Sequence, residues 1–345
     1  MPHGMDIGMP PASTPPHLTS PVTIRVDTGT LCVMSDARRR TPVTPDGRLG
    51  AAAEHPGRHD ARYRERRNAL ARPARGHRVG DPVPYAAYTE SEHTTWSVVR
   101  AALAEAHSRY ACAAVLEAAE DVPIPADRIP QLTDVGATLR PLTGFDFTLS
   151  GGPVEDGRFF RAFDRGYFHA VQYVRHPAVP MYTPEPDVIH DVVGHGIHLS
   201  SPRFAELYRL FGRAAVRVRT PEALTLLNRV YWFTLEAGVV AEGGNVKAYG
   251  AALLSSSGEL ARLAECDIRE LDPGVMARTR YLVSGYQQVL FRARSLDHLT
   301  ETLTGFLAGF DDAWARETTM GAGEVIHRPE PLPTRFAPDT AEWGP

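Results

Sequence analysis

Three helix starts follow one another between residues 183 and 222, and they restrict the fold more than any other feature of the chain. Thr183-Pro184-Glu185-Pro186-Asp187, Ser201-Pro202 and Thr220-Pro221-Glu222 each set a capping residue before a proline. Proline in a first helical turn forfeits no hydrogen bond, because the N–H there has no intrahelical partner. Apolar residues then recur at helical spacing: Phe204, Leu207, Tyr208, Phe211 and Ala215, then Leu224, Leu227, Tyr231 and Leu235. Trp96, Val99, Leu103 and Ala106 mark an earlier helix, and Leu282–Phe291 and Leu299–Phe310 read as two later ones. Residues 121–150 scatter six prolines and glycines among short apolar pieces and read as loops. The pattern predicts a single, mainly α domain with a few short strands over residues 81–325.

The flanks differ from this body. Residues 1–80 are rich in Pro, Gly, Arg and Ser, with one strand-like stretch at Val22–Val33, and are expected to form a disordered leader. Order is expected from near Tyr85, and residues 326–345 form a Pro-rich tail. The leader holds 13 Arg against 7 acidic residues, whereas the whole chain carries a net charge of −4. An acidic body behind a basic leader is poor material for a nucleic-acid binder. No run of 18 apolar residues offers a membrane span, and the first thirty residues lack a secretory pattern. Cys32, Cys112 and Cys266 are odd in number and far apart, which suits a reducing compartment. A cytoplasmic monomer is the expectation.

The strongest chemical signal is His190-Asp191-Val192-Val193-Gly194-His195. Imidazole suits iron, zinc and copper. Five positions subtend about 140° on a straight α-helix, so both rings reach one metal only where the helix ends or bends, and Gly194 stands where an end is expected. Histidines paired with backbone or water are the alternative. Glu236 stands among the apolar residues of Tyr231–Gly238, where a carboxylate is costly unless paired or bound to a cation. It completes a two-histidine, one-carboxylate set of the non-haem iron type, or it pairs with an arginine such as Arg229. His198 could replace either histidine and otherwise reads as a histidine just behind the ligands or at the surface.

At these residues the chain resembles the tetrahydropterin-dependent aromatic amino-acid hydroxylases. The matching stretches are Tyr173–His176 (YVRH), Met181–His195 (MYTPEPDVIHDVVGH), Tyr231–Glu236 (YWFTLE) and Lys247–Glu259 (KAYGAALLSSSGE). Glu90–Trp96 and Ala126–Pro130 resemble the bacterial members. The resemblance implies Fe(2+) ligands at His190, His195 and Glu236. It implies an arginine at Arg175 for the substrate carboxylate, which suits a planar guanidinium. Thr183, Pro184, Glu185 and Pro186 would line the amino-acid site, Trp232 would wall the ring, and Ser255 and Ser256 would lie near the substrate backbone and the first histidine. For the pterin it implies Gly144, Phe145, Phe159, His169 and Asp191.

Two departures bear on the substrate. Ala237 follows the ligand glutamate where the family usually has phenylalanine, which predicts a wider pocket, and Ala252 replaces a usual glycine. The implied reaction uses dioxygen, a reduced pterin and a free aromatic amino acid, with phenylalanine 4-hydroxylation to tyrosine the leading expectation. Tryptophan, or another ring position of phenylalanine, is the second. A zinc site with two His and one Glu is the third, although the chain has no HExxH.

Overall fold

The computed structural model describes residues 55–122, 124–281 and 285–320. Val22–Val33 and the tail at 326–345 lie outside them. The order is α1 (Ala61–Ala71), α2 (Glu90–Tyr110), α3 (Ala113–Glu120), α4 (Leu132–Thr143), β1 (Asp146–Leu149), α5 (Asp156–Asp164) and β2 (Tyr167–Ala170). A wide turn at His190–Gly196 then runs into α6 (Ile197–Ser200), followed by α7 (Pro202–Arg217) and α8 (Pro221–Tyr231). A second wide turn, Trp232–Glu236, leads to β3 (Val239–Glu242), β4 (Asn245–Ala248), α9 (Ala251–Leu254), β5 (Asp267–Glu270), α10 (Pro273–Arg278), β6 (Val289–Ala293), α11 (Leu296–Gly309) and α12 (Asp312–Met320). Strands β1 and β2 pair in parallel, and a small mixed sheet runs β4-β3-β6-β5. The mainly α expectation holds.

The core lies where α5, α7 and α8 meet. Phe160, Phe163, Phe204, Phe211 and Tyr231 are buried there, and Gly212 lets α7 approach α5 so closely that a Cβ would stand 2.4 Å from the Asp164 amide. Thr220 caps α8 through the Ala223 amide at 3.3 Å, as its sequence predicts. Thr183 caps no helix. Its hydroxyl donates to the Glu185 carbonyl inside a loop, and Asp187 does the capping, accepting from the His190 amide at 3.2 Å.

Three other expectations change. Residues 121–150 contain α4 and β1; Pro141 and Gly136 suggested a loop, but Leu132, Val135, Gly136 and Leu139 bury one face of α4, and Pro141 sits in its last turns. The C-terminal part of Leu282–Phe291 is strand β6, hydrogen-bonded in register between β5 and β3. Residues 55–80 are folded. Asp60 caps α1, Leu70 packs with Ala86, Val171 and Tyr173, Ala71 is buried, and Arg66 and Arg67 form ion pairs with Glu92 and Glu185. The arginines that made this stretch look like leader are docking groups whose partners lie far along the chain. Among the described residues no helix is long and apolar enough to cross a membrane.

Candidate metal centre and substrate cleft

The i, i+5 histidine spacing is resolved by helix geometry. His190–Gly196 is a π-helical turn, in which hydrogen bonds run from i to i+5 and residues five apart share a face. Gly194 therefore does not end the helix, which continues into α6. Its hydrogen is needed for packing: a Cβ there would stand 2.6 Å from the Ala251 carbonyl oxygen. Trp232–Glu236 is a second π-turn, closed by the Ala237 amide on the Trp232 carbonyl at 2.8 Å, and it carries Glu236 to the histidines.

The three side chains converge. His195 Nε2 lies 2.9 Å from His190 Nε2 and 3.1 Å from Glu236 Oε1, and His190 Nε2 lies 3.6 Å from Glu236 Oε2. Ser255 Oγ donates to the Ala252 carbonyl at 3.0 Å, so it accepts from His190 Nδ1 at 2.9 Å. That leaves the His190 Nε2 lone pair facing the other two groups. Burial pushes the imidazoles of His190 and His195 down to about 4 and about 3, and pushes the Glu236 carboxyl up. Glu236 Oε2 is buried without a hydrogen-bond partner. Neutral imidazole nitrogens and a carboxylate oxygen gathered within 4.8 Å of one another need a cation between them. The arrangement fits a metal ion, and Glu236 faces the histidines rather than Arg229.

A cleft opens from this centre, lined by Arg175, Thr183, Pro184, Glu185, Pro186, His190, Trp232, Glu236, Ala252, Ser255 and Ser256, as the sequence suggested, and also by Tyr182, Glu259 and Gln287. Arg175 is 3% exposed and grips Asp187 bidentately, Nε to Oδ2 and Nη2 to Oδ1, both at 2.9 Å. Sequence reading missed Asp187, whose place in the Thr-Pro-Glu-Pro-Asp helix start was its one signal. Trp232 stacks on Tyr281 at 4.3 Å and donates from Nε1 to Gln287 Oε1 at 3.0 Å. Glu185 pairs with Arg67, whose guanidinium also lies over the Tyr173 ring at 4.1 Å. Ala237 is fully buried in the apolar cluster of Val239, Leu253 and Leu290 and does not line the cleft.

The residues proposed for the pterin separate into two groups. Phe159 and His169 stack at 26° with ring centroids 6.5 Å apart, and both His169 nitrogens are buried without hydrogen-bond partners. Burial pushes the His169 imidazole down to about 4. Asp191 turns inward and accepts from the Val171 amide at 2.8 Å. Gly144 caps α4 at φ +76° ahead of β1, and the buried Phe145 that follows it meets Tyr208 and Arg209, while His169 pairs with Thr148 further along β1.

Fold and site together match a known class. Residues 45–317 match the profile of the biopterin-dependent aromatic amino acid hydroxylases, and the chain belongs to that family. It is a pterin-dependent aromatic amino acid hydroxylase. It is 44% identical over 253 residues to the phenylalanine 3-hydroxylase of Streptomyces coeruleorubidus, covering 73% of this chain and 91% of that protein. It is 34% identical to the chloroplastic phenylalanine 4-monooxygenase of Pinus taeda, covering 74% of this chain and 72% of that one. A crystal structure of Chromobacterium violaceum phenylalanine hydroxylase with iron(III) and 7,8-dihydrobiopterin bound superimposes with a TM-score of 0.65. It is 25% identical, and the match covers 76% of this chain and 97% of that one.

Proposed function

We propose that this chain hydroxylates the ring of free L-phenylalanine at carbon 3, with ferrous iron held by His190, His195 and Glu236 and a reduced pterin bound against Phe159 and His169. The observation that carries this reading is a single cleft onto which a buried guanidinium, an apolar ring wall and two members of the metal-binding triad, His190 and Glu236, open, with His195 buried directly behind them. When bound, the iron and the pterin supply the activation of dioxygen.

The chain's own part is positioning. Asp187 and the Pro180 carbonyl occupy three of the five guanidinium N–H groups of Arg175, so two remain for the carboxylate of an amino acid. Trp232, fixed by Tyr281 and Gln287, and Pro186 hold the ring. Buried Asp187 keeps Arg175 from swinging away, and the packed walls exclude water. No side chain is required as a nucleophile.

The ring position follows the stronger likeness, 44% to a 3-hydroxylase against 34% and 36% to chloroplastic 4-monooxygenases. Conversion to tyrosine is the second reading, supported by the number of 4-hydroxylating relatives. Incubation with ferrous iron, a tetrahydropterin and competing Phe, Tyr and Trp, followed by mass spectrometry and NMR, tests both. The expected product is 3-hydroxyphenylalanine. Tyrosine would transfer the assignment to carbon 4, and no hydroxylated amino acid would remove both readings.

A further inference from the structure

One histidine of the triad is backed by a hydrogen-bond chain whose every proton can be assigned. His195, Tyr208 and His198 are each 0–1% exposed. Tyr208 Oη lies 2.6 Å from His195 Nδ1 and 2.9 Å from His198 Nδ1, and His198 Nε2 meets the Tyr249 backbone carbonyl. A carbonyl only accepts, so His198 carries its proton on Nε2. A fully buried ring held by a hydroxyl and a carbonyl is neutral, so its Nδ1 presents a lone pair. The single Tyr208 hydrogen is then committed to His198, and the Tyr208 oxygen accepts from His195 Nδ1. His195 is left with a bare Nε2, the atom that faces His190 Nε2 and Glu236 Oε1. The ring planes are fixed as well: His198 stacks on Phe204 at 4.6 Å, and His195 lies 4.2 Å from Phe168.

We propose that Tyr208 and His198 are positioning residues that read the Tyr249 carbonyl and hold His195 in the one tautomer that binds metal through Nε2. The inference rests on the metal reading of the triad. It assigns the His195 side of the centre a device different from the His190 side, where one serine hydroxyl suffices. Outer partners of metal-bound histidines typically alter metal affinity by 10–100-fold. Here the more distant residue matters through the hydroxyl between them. Without His198, the Tyr208 hydrogen is free to turn towards His195 Nδ1 and drive the proton onto Nε2.

Histidine-selective ¹⁵N labelling of the metal-free full chain reads the tautomers directly. The expected spectrum has His195 protonated on Nδ1 and His198 on Nε2. Anaerobic titration with ferrous ion follows for Tyr208→Phe and His198→Leu, each checked by its thermal transition. Both are expected to weaken ferrous binding by roughly 10–100-fold, and His198→Leu to shift His195 towards the Nε2-protonated form. His198→Gln, whose amide can donate to Tyr249 and accept from Tyr208, is expected to restore affinity to within about threefold of the parent. A parent spectrum with His195 protonated on Nε2, or folded Tyr208→Phe and His198→Leu chains that bind ferrous ion as the parent does, would overturn the proposal. If neither variant folds, the parent spectrum and His198→Gln decide it. A parent chain that keeps the expected tautomers but binds no ferrous ion would overturn the metal reading instead.

Discussion

The floor of the cleft and its rim are built in opposite ways. The floor is two π-turns: His190 and His195 share one, and Glu236 ends the other. Its geometry comes from a change of helical pitch within a few residues, and glycine or small side chains let the next element close on it. The rim, Thr183–Pro186, has no regular structure. It is held by charged groups from distant parts of the chain, Arg67 on Glu185 across 118 positions and Asp187 beneath it on Arg175. A floor set by backbone pitch is expected to fail through packing and metal loss, and a rim set by ion pairs through substrate affinity.

Substitutions can separate the two. Arg175→Ala has the largest expected effect, because it strands Asp187, itself 0% exposed, as an unpaired interior charge. Stability should fall by about 3–5 kcal/mol, measured by urea unfolding, and amino-acid binding should be lost with it. Gly194→Ala comes next. Its Cβ would drive α9 off the floor, for about 1–3 kcal/mol of destabilisation, with weaker metal binding in the same titration. Arg67→Ala should leave iron binding unchanged and raise KM for the amino acid by about tenfold, or about 1.4 kcal/mol, with kcat held. Equal losses in kcat and metal content would dissolve the distinction between rim and floor. Tyr63→Phe, which removes a 3.1 Å bond to the Val174 carbonyl beside the rim, should be the mildest. It should lower stability by about 1 kcal/mol without a measurable change in KM.

The same division explains what could be read before the structure. The floor was legible because His190, His195 and Glu236 violate ordinary expectation locally: a histidine spacing wrong for an α-helix and a carboxylate in an apolar run. The π-turn itself was not legible, since no residue type specifies it and Gly194 suggested a helix end. The helices α7 and α8 announced themselves through proline starts and apolar stripes. Helix α1 did not, because its arginines look like solvated charge until Glu92 and Glu185 are brought to them. The Tyr208–His198 chain was hidden for a similar reason. Tyr208 reads as one more apolar-face residue of α7, and its hydroxyl gains meaning only when α6 and the Tyr249 carbonyl converge on it.

Anaerobic titration of the metal-free protein with ferrous ion, with X-ray absorption spectra of the loaded protein, tests the floor most directly. One ion per chain is expected, bound by two imidazole nitrogens and a carboxylate oxygen, with binding abolished in Glu236→Ala while the fold persists. An ion that binds Glu236→Ala as tightly as the parent, with an unchanged ligand signature, would contradict the account.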